Sequence, residues 1–229
     1  MMFFLRQVGF LLWKDVLIEW RARELLLSTI LFSVIVVLLF SFAFLGGALP
    51  TVEVLSGVLW VAVSLSGMLG ISRSFEKERE ADTLRALLSA PIDRAALYVA
   101  KLIAITLLMW LTSAVVVPAL CLLFGLRFPA GGAWFVALLA LGTTGFAAVA
   151  ALFGASLGRA RAREVLLPLL VYPLVLPALL ASARGTYGVL YGTPESLADA
   201  VRWVKFLVVF DSLAIVLGLW LFEPLTTQD

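Results

Sequence analysis

Histidine is absent from all 229 residues, and there is a single cysteine, Cys121. Imidazole metal ligation, histidine acid–base catalysis and axial histidine ligation of a haem are therefore closed to this chain. Met68, Met109 and Cys121 are the side chains left that could touch an iron atom. Each sits in an apolar run, where packing is the simpler reading, so no metal site is expected. There is no G-x-x-x-x-G-K-[ST] loop to cradle nucleotide phosphates. Paired catalytic carboxylates and nucleophile motifs are also missing from the apolar segments, so no catalytic residue is assigned and the chain is not expected to be an enzyme. The chemistry that remains is charge. One concentration lies in "FEKEREADTLRALLSAPIDRAALYVAK", residues 75–101, where Glu76, Lys77, Glu78, Arg79, Glu80, Asp82 and Arg85 crowd together between apolar runs. The other is a lone carboxyl, Asp211, inside "VVFDSLAIV".

The elements that must carry these groups are membrane helices. Hydrophobic residues make up 63% of the chain, charged residues 14%, and the mean hydropathy is +1.10. A soluble domain is about half apolar and about a quarter charged. A bilayer core needs roughly 20 apolar residues as helix, and six such stretches are expected, over 25–45, 54–71, 95–124, 133–157, 165–181 and 203–222. All should be helical, because the bilayer offers no water to an unpaired backbone. The predicted architecture is an all-α integral membrane protein with one transmembrane domain over 1–229.

Lys and Arg set its orientation. Arg6, Lys14, Arg21 and Arg23 precede span one. Arg73, Lys77, Arg79, Arg85 and Arg94 follow span two, with Lys101 just beyond. Arg159, Arg161 and Arg163 follow span four. The opposite loops hold only Arg127, Arg184 and Arg202. Both termini are therefore expected in the cytoplasm, together with the charged segment. Residues 1–24 read as an interfacial helix. Leu12, Trp13, Val16, Leu17 and Trp20 share its apolar face. Lys14, Asp15 and Arg21 lie off that face, with Leu11 and Ile18 on the polar side. A simple extension of span one is the other reading. Lys14 and Asp15 break the apolar stretch, so a cleavable signal is not expected.

Within residues 75–91, Thr83, Leu84, Leu87 and Leu88 follow the charges at helical spacing, and Pro91 stops the run. Asp93 is placed to cap the next helix, beginning near Arg94. The expectation is a short cytoplasmic helix, polar at its start and apolar at its end. It could dock in a groove on a soluble partner, or its leucines could pack back onto spans two and three. With no P-loop in this chain, any ATP would be used by a separate subunit.

The stretch "LSGVLWVAVSLSGMLGISRSFEKEREADTLRALLSAPIDRAALYVAKL" resembles the central signature of the haem exporter B permease family, CcmB. Gly57, Val58, Leu59, Trp60, Val61 and Ala62 match its Gly-[IV]-[IL]-Trp-Val-Ala run. Phe75, Glu76 and Glu78 match a Phe followed by acidic residues. Leu84, Leu87, Leu88 and Pro91 match a G-x-L-E-x-L-L-x-x-P-type element, and Ala100 and Lys101 match an Ala-Lys pair. Asp82 stands where the family has Gly, and Arg85 where it has Glu. The Pro-rich "GASLGRARAREVLLPLLVYPLVLPALL" also resembles the family's fifth span.

The resemblance implies the permease subunit of an ABC-type complex for cytochrome c maturation, in a bacterial cytoplasmic (inner) membrane. It implies an ABC-2-type exporter-like fold. The expected partners are a second permease copy, a CcmA-like ATPase that carries the ATP, CcmC-like and CcmD-like membrane subunits, and a CcmE-like periplasmic haem chaperone. The lipid bilayer is a further partner, and nucleic acid is not. Haem is then a substrate of the complex, with no cofactor bound directly. Phe75, Glu76, Glu78, Asp82, Leu84, Leu87, Leu88 and Pro91 become the ATPase-coupling segment, and Gly57 and Trp60 the signature run. Two other readings stand beside this one. The chain could export another substrate, such as a lipid, glycan or drug, or it could be a non-transporting scaffold for haem-handling subunits.

Four further features leave alternatives. Asp211 would cost roughly 2.5–3.5 kcal/mol to insert at a span centre, which makes function its default reading. It could meet a partner subunit or line a polar cavity, unless span six begins later and Asp211 caps it near the external surface. Thr193 and Pro194 suggest a short external helix before span six. Pro168, Pro173 and Pro177 could kink span five into a gate, or simply be tolerated there. Gly142, Gly145 and Gly154 allow close helix packing, within the chain or at a dimer seam. Trp13, Trp20, Trp134 and Trp203 read as interfacial anchors.

Overall fold

The computed structural model describes residues 2–21, 23–44, 47, 50–80, 93–125, 131–157 and 163–227. Among them are seven helices and no strand: α1 (Met2–Arg21), α2 (Arg23–Ala43), α3 (Val52–Glu80), α4 (Arg94–Phe124), α5 (Gly132–Ser156), α6 (Arg163–Tyr191) and α7 (Pro194–Thr227). All but α1 are long and apolar enough to cross a membrane, which gives the six expected spans. The protein is an all-α integral membrane protein.

The centre of the bundle is α3 and α5, whose spans are 72% and 61% buried, against 22% for α2 and α7. α5 packs on α4, α6 and α7, while α3 packs on α2, α4 and α6. The outer helices turn bare apolar faces outward, such as Leu27, Leu31 and Leu39 on α2 and Leu213, Val216 and Trp220 on α7. Lipid replaces water around such faces, so their exposure carries no hydrophobic penalty.

From α2 to α7 successive helices run antiparallel. Asp15 of α1 meets Lys101 near the start of α4, and Tyr98 of α4 packs on Phe222 near the end of α7, ring centroids 5.5 Å apart. The first and last helices therefore reach the same end of the bundle, called here the terminal end. At the opposite end, Glu53 at the start of α3 pairs with Arg184 of α6 at 2.9 Å.

Local chemistry explains the boundaries. Asp93 caps α4 as expected, its Oδ1 accepting from the Ala95 N–H at 2.9 Å. Thr193 starts α7 as expected. Its Oγ1 accepts from the Ser196 N–H at 3.2 Å, and its own N–H donates to Ser196 Oγ at 3.0 Å. This is the reciprocal arrangement of a capping box. Gly192, at φ +75, supplies the left-handed residue that ends α6.

Three elements run further than the sequence pattern suggests. α3 does not stop near 71 but continues to Glu80. Past Gly70 there is no Gly or Pro to break it, and Glu, Lys and Arg are good helix formers. Residues 75–80 are therefore the end of α3 and not the start of a separate helix; residues 81–92 lie outside the described residues. α6 passes through Pro168, Pro173 and Pro177 and continues to Tyr191, where a span over 165–181 was expected. Pro173 and Pro177 lie on its exposed face, and membrane helices tolerate proline because local adjustments satisfy the freed carbonyls. α7 is one helix from its cap to Thr227, with no separate external helix before it.

α1 leaves Trp13, Val16 and Leu17 of its apolar face exposed and packs on the bundle by another side. Val8, Leu11 and Asp15 are buried against the bundle, and Phe3, Phe10 and Trp13 are exposed. Leu11 and Asp15, assigned to the polar side, belong to the packed side. The aromatic side faces away from the protein, where a membrane anchor would be.

Candidate functional site

The two helices that flank the charged segment, α3 and α4, are joined at the terminal end by one buried cation. Lys101 lies about two turns into α4, and its side chain is only 5% exposed. Its Nζ is 2.8 Å from Asp15 Oδ2 on α1 and 5.7 Å from the centre of the Phe75 ring on α3, within cation–π reach. The second Asp15 oxygen is 2.7 Å from Lys14 Nζ. The Phe75 ring, itself buried, lies so close to Gly154 of α5 that a Cβ there would collide with it. Four helices thus converge on Lys101 and Phe75.

The local sequence accounts for each part. The Asp93 cap fixes where α4 begins and so where Lys101 stands. Gly154 gives the space for an aromatic ring to approach the α5 backbone. Burying a lone ammonium would be costly, but this one has a carboxylate and a ring face to offset its desolvation. Just above, Arg73 Nη1 donates to Ser28 Oγ at 3.0 Å, tying α3 to the start of α2. The arrangement can hold the end of α3 at a defined position and direction. It offers no nucleophile, and no group of three or more His, Cys, Asp or Glu among the described residues could hold a metal.

The expected coupling residues separate here. Phe75 is inside the bundle, so its ring cannot be part of a docking face. Glu76 is exposed on the last turns of α3. Glu78 belongs to the same helix, but its side chain lies outside the described set. Asp82, Leu84, Leu87, Leu88 and Pro91 also lie outside the described residues.

The Gly57–Trp60 run works in packing. Trp60 is buried, its Nε1–H donates to Thr186 Oγ1 of α6 at 3.0 Å, and its ring lies on Gly142 of α5. The indole thereby joins α3, α5 and α6. Gly57 is half-buried with open space where a Cβ would stand. Gly142, Gly145 and Gly154 all face inward, against Trp60, Asp211 and Phe75 respectively. They serve packing within the chain and not a dimer seam. Asp211 is well inside α7 and buried, so the cap near the external surface is excluded.

The CcmB protein family matches residues 6–220. The chain belongs to the CcmB family. It is 34% identical to the heme exporter protein B of Paracoccus denitrificans over 139 residues, 61% of this chain and 62% of that protein. It is 33% identical to the heme exporter protein B of Rhodobacter capsulatus over 195 residues, 81% of this chain and 87% of that one. The match thus spans less than two thirds of the Paracoccus protein. Asp15, Phe75, Lys101, Gly154 and Asp211 all fall inside the region that the CcmB family covers.

Sequence reasoning missed the pairing of Asp15 with Lys101. The signal was present, since Val8, Leu11 and Asp15 fall on one helical face. An acidic residue on a face with two aliphatic ones calls for a buried cation.

Proposed function

We propose that this chain is the permease subunit of an ABC-type complex in cytochrome c biogenesis, in a bacterial inner membrane with both termini in the cytoplasm. It couples ATP hydrolysis on a separate ATPase subunit to haem export, or to release of a haem-loaded periplasmic chaperone. The names of its relatives, heme exporter protein B, support the haem assignment. The fold, on this reading, is of the ABC-2 exporter type. A second permease copy, CcmC-like and CcmD-like subunits and a CcmE-like chaperone complete the assembly.

The observation that carries the coupling role is the junction at Lys101. The charged segment leaves α3 just beyond Phe75 and rejoins the bundle at Asp93. Its two roots are clamped together by Lys101, Phe75, Asp15 and Gly154. A segment held at both roots by a rigid clamp passes displacement to the helices; a freely solvated loop does not. Glu76, Glu78, Asp82, Leu84, Leu87, Leu88 and Pro91 form the docking segment, and Phe75 is its anchor. The Lys and Arg residues of α1, α3 and α4 gather at this end, which supports its cytoplasmic placement.

The test is co-purification. The chain is expressed with its cognate ATPase subunit, extracted in mild detergent, and compared with Leu84→Asp. The ATPase should accompany the wild type and be lost from the variant, with membrane insertion unchanged. Equal recovery in both would refute docking through this segment.

A further inference from the structure

Asp211 is a polar group with no use in the coupling scheme. It is 4% exposed, and neither carboxyl oxygen has a hydrogen-bond partner among the described residues. Its Oδ1 lies against Gly145 of α5, where a Cβ would strike it, and the Phe210 ring covers the same glycine. One helical turn earlier on α5, the fully buried Ser182 hydroxyl of α6 lies against Gly142, also without a partner. Two glycines thus hold open a narrow, polar-lined seam between α5, α6 and α7, closed to solvent.

Among the described residues no cation faces the carboxyl. α5 has no ionisable side chain along its whole length. On α6 the charged residues stand towards its two ends: Arg163 and Glu164 at one, and Arg184, paired with Glu53, at the other. The titratable group of α6 beside the mid-part of α5 is Tyr172, its ring edge-on to Phe146. On α4, Lys101 is committed to Asp15, and the Tyr98 hydroxyl, against Gly218 of α7, donates to the Ala148 carbonyl at 3.1 Å. On α7 itself, Arg202 pairs with Asp199, and Lys205 and Glu223 are exposed.

A carboxylate only accepts hydrogen bonds; the helix N–H groups of this seam are already used, and the Ser182 hydroxyl, a turn away along α5, donates to neither oxygen. A neutral carboxylic acid has an O–H to donate, and carbonyl oxygens retain a free lone pair. An ionised carboxylate with no donor or counter-ion is the species a low-dielectric site excludes most strongly. We propose that Asp211 is a proton-binding site, carried as the neutral acid in the α5–α7 seam of the resting permease. The ligand is a single proton. Releasing it requires water or a cation to enter the seam, so proton release is linked to separation of α5 from α7. Intramembrane carboxyls that bind and release protons in this way belong to ion and proton pathways.

Infrared spectroscopy distinguishes the two forms directly. The chain is reconstituted in liposomes, and the spectrum of Asp211→Asn is subtracted from that of the wild type. The expected difference is the C=O stretch of a carboxylic acid, shifting in heavy water and persisting from mildly acid to mildly alkaline buffer. A pair of carboxylate stretches in its place at neutral pH would overturn the proposal. If Asp211→Asn does not fold, wild type labelled with carbon-13 aspartate gives the same decision. An isotope-shifted acid band at neutral pH is then the expected result. Its absence there overturns the assignment.

Discussion

Replacing Lys101 with Met tests the junction most sharply. Methionine keeps length and volume, so little cavity is created, and the loss is electrostatic. Asp15 is 6% exposed and would lose its buried partner. Breaking a buried pair by removing one member costs about 3–5 kcal/mol. Lys14 remains 2.7 Å from the other oxygen, on a side chain that is 21% exposed, so part of the charge stays compensated. The lost cation–π contact with Phe75 adds about 0.5–1 kcal/mol. A net destabilisation of about 2–4 kcal/mol follows. For a domain of this size each kcal/mol lowers Tm by about 2–4 °C, so the variant should melt about 4–16 °C below wild type. The assay is the fraction of monodisperse protein left after heating in detergent. Asp15→Leu with Lys101→Met should recover at least half the loss, because an apolar pair can replace a buried ion pair at little cost. Strictly additive losses in the two single variants and the double variant would show no coupling between the residues. That result would refute the junction as described.

The same melting assay reads two other contacts. Trp60→Phe removes the donor to Thr186 and should cost about 1 kcal/mol, whereas Trp60→Ala opens a cavity between α3, α5 and α6 and should cost about 3–5 kcal/mol. Gly154→Ala drives a methyl into the Phe75 ring and should cost about 1–3 kcal/mol; adding Phe75→Leu should relieve part of it, and no change in either variant would show that the ring can move aside freely.

The spans were legible because membrane helices announce themselves by length and apolarity. Asp93 and Thr193 were legible because capping needs only a short side chain one residue ahead of the helix. The ends of α3, α6 and α7 were less so. Hydropathy marks where a helix leaves the lipid, and these helices do not stop there: α3 carries its charges out on the same rod, and α7 begins with polar residues already helical. The packed face of α1 was not legible for a related reason. Apolarity marks the face that meets lipid, with Trp13, Val16 and Leu17, and leaves open which other side, here that of Leu11 and Asp15, the protein takes. Gly142, Gly145 and Gly154 signalled close approach in the sequence, but which side chain fills each gap depends on partners far along the chain.

The two clusters along α3 differ in kind, and that difference bears on how a stroke entering at Glu76 would travel. Trp60 is a large volume wedged between α5 and α6, with one hydrogen bond to fix its orientation. Sliding it means displacing packed atoms on two helices, so this level resists relative motion. The junction at Lys101 is a set of charged and ring contacts that ties α4 to α1 and α3, with the Phe75 ring against α5. A rotation of the end of α3 carries the Phe75 ring off Gly154 and changes the environment of the ammonium without disturbing the tryptophan level. Under the proposed coupling, motion entering there would pass sideways to α1 and α4, with the Trp60 level as the pivot. Since α1 bears an exposed aromatic face, the same proposal has displacement reach the membrane surface through that helix before it reaches α6 and α7.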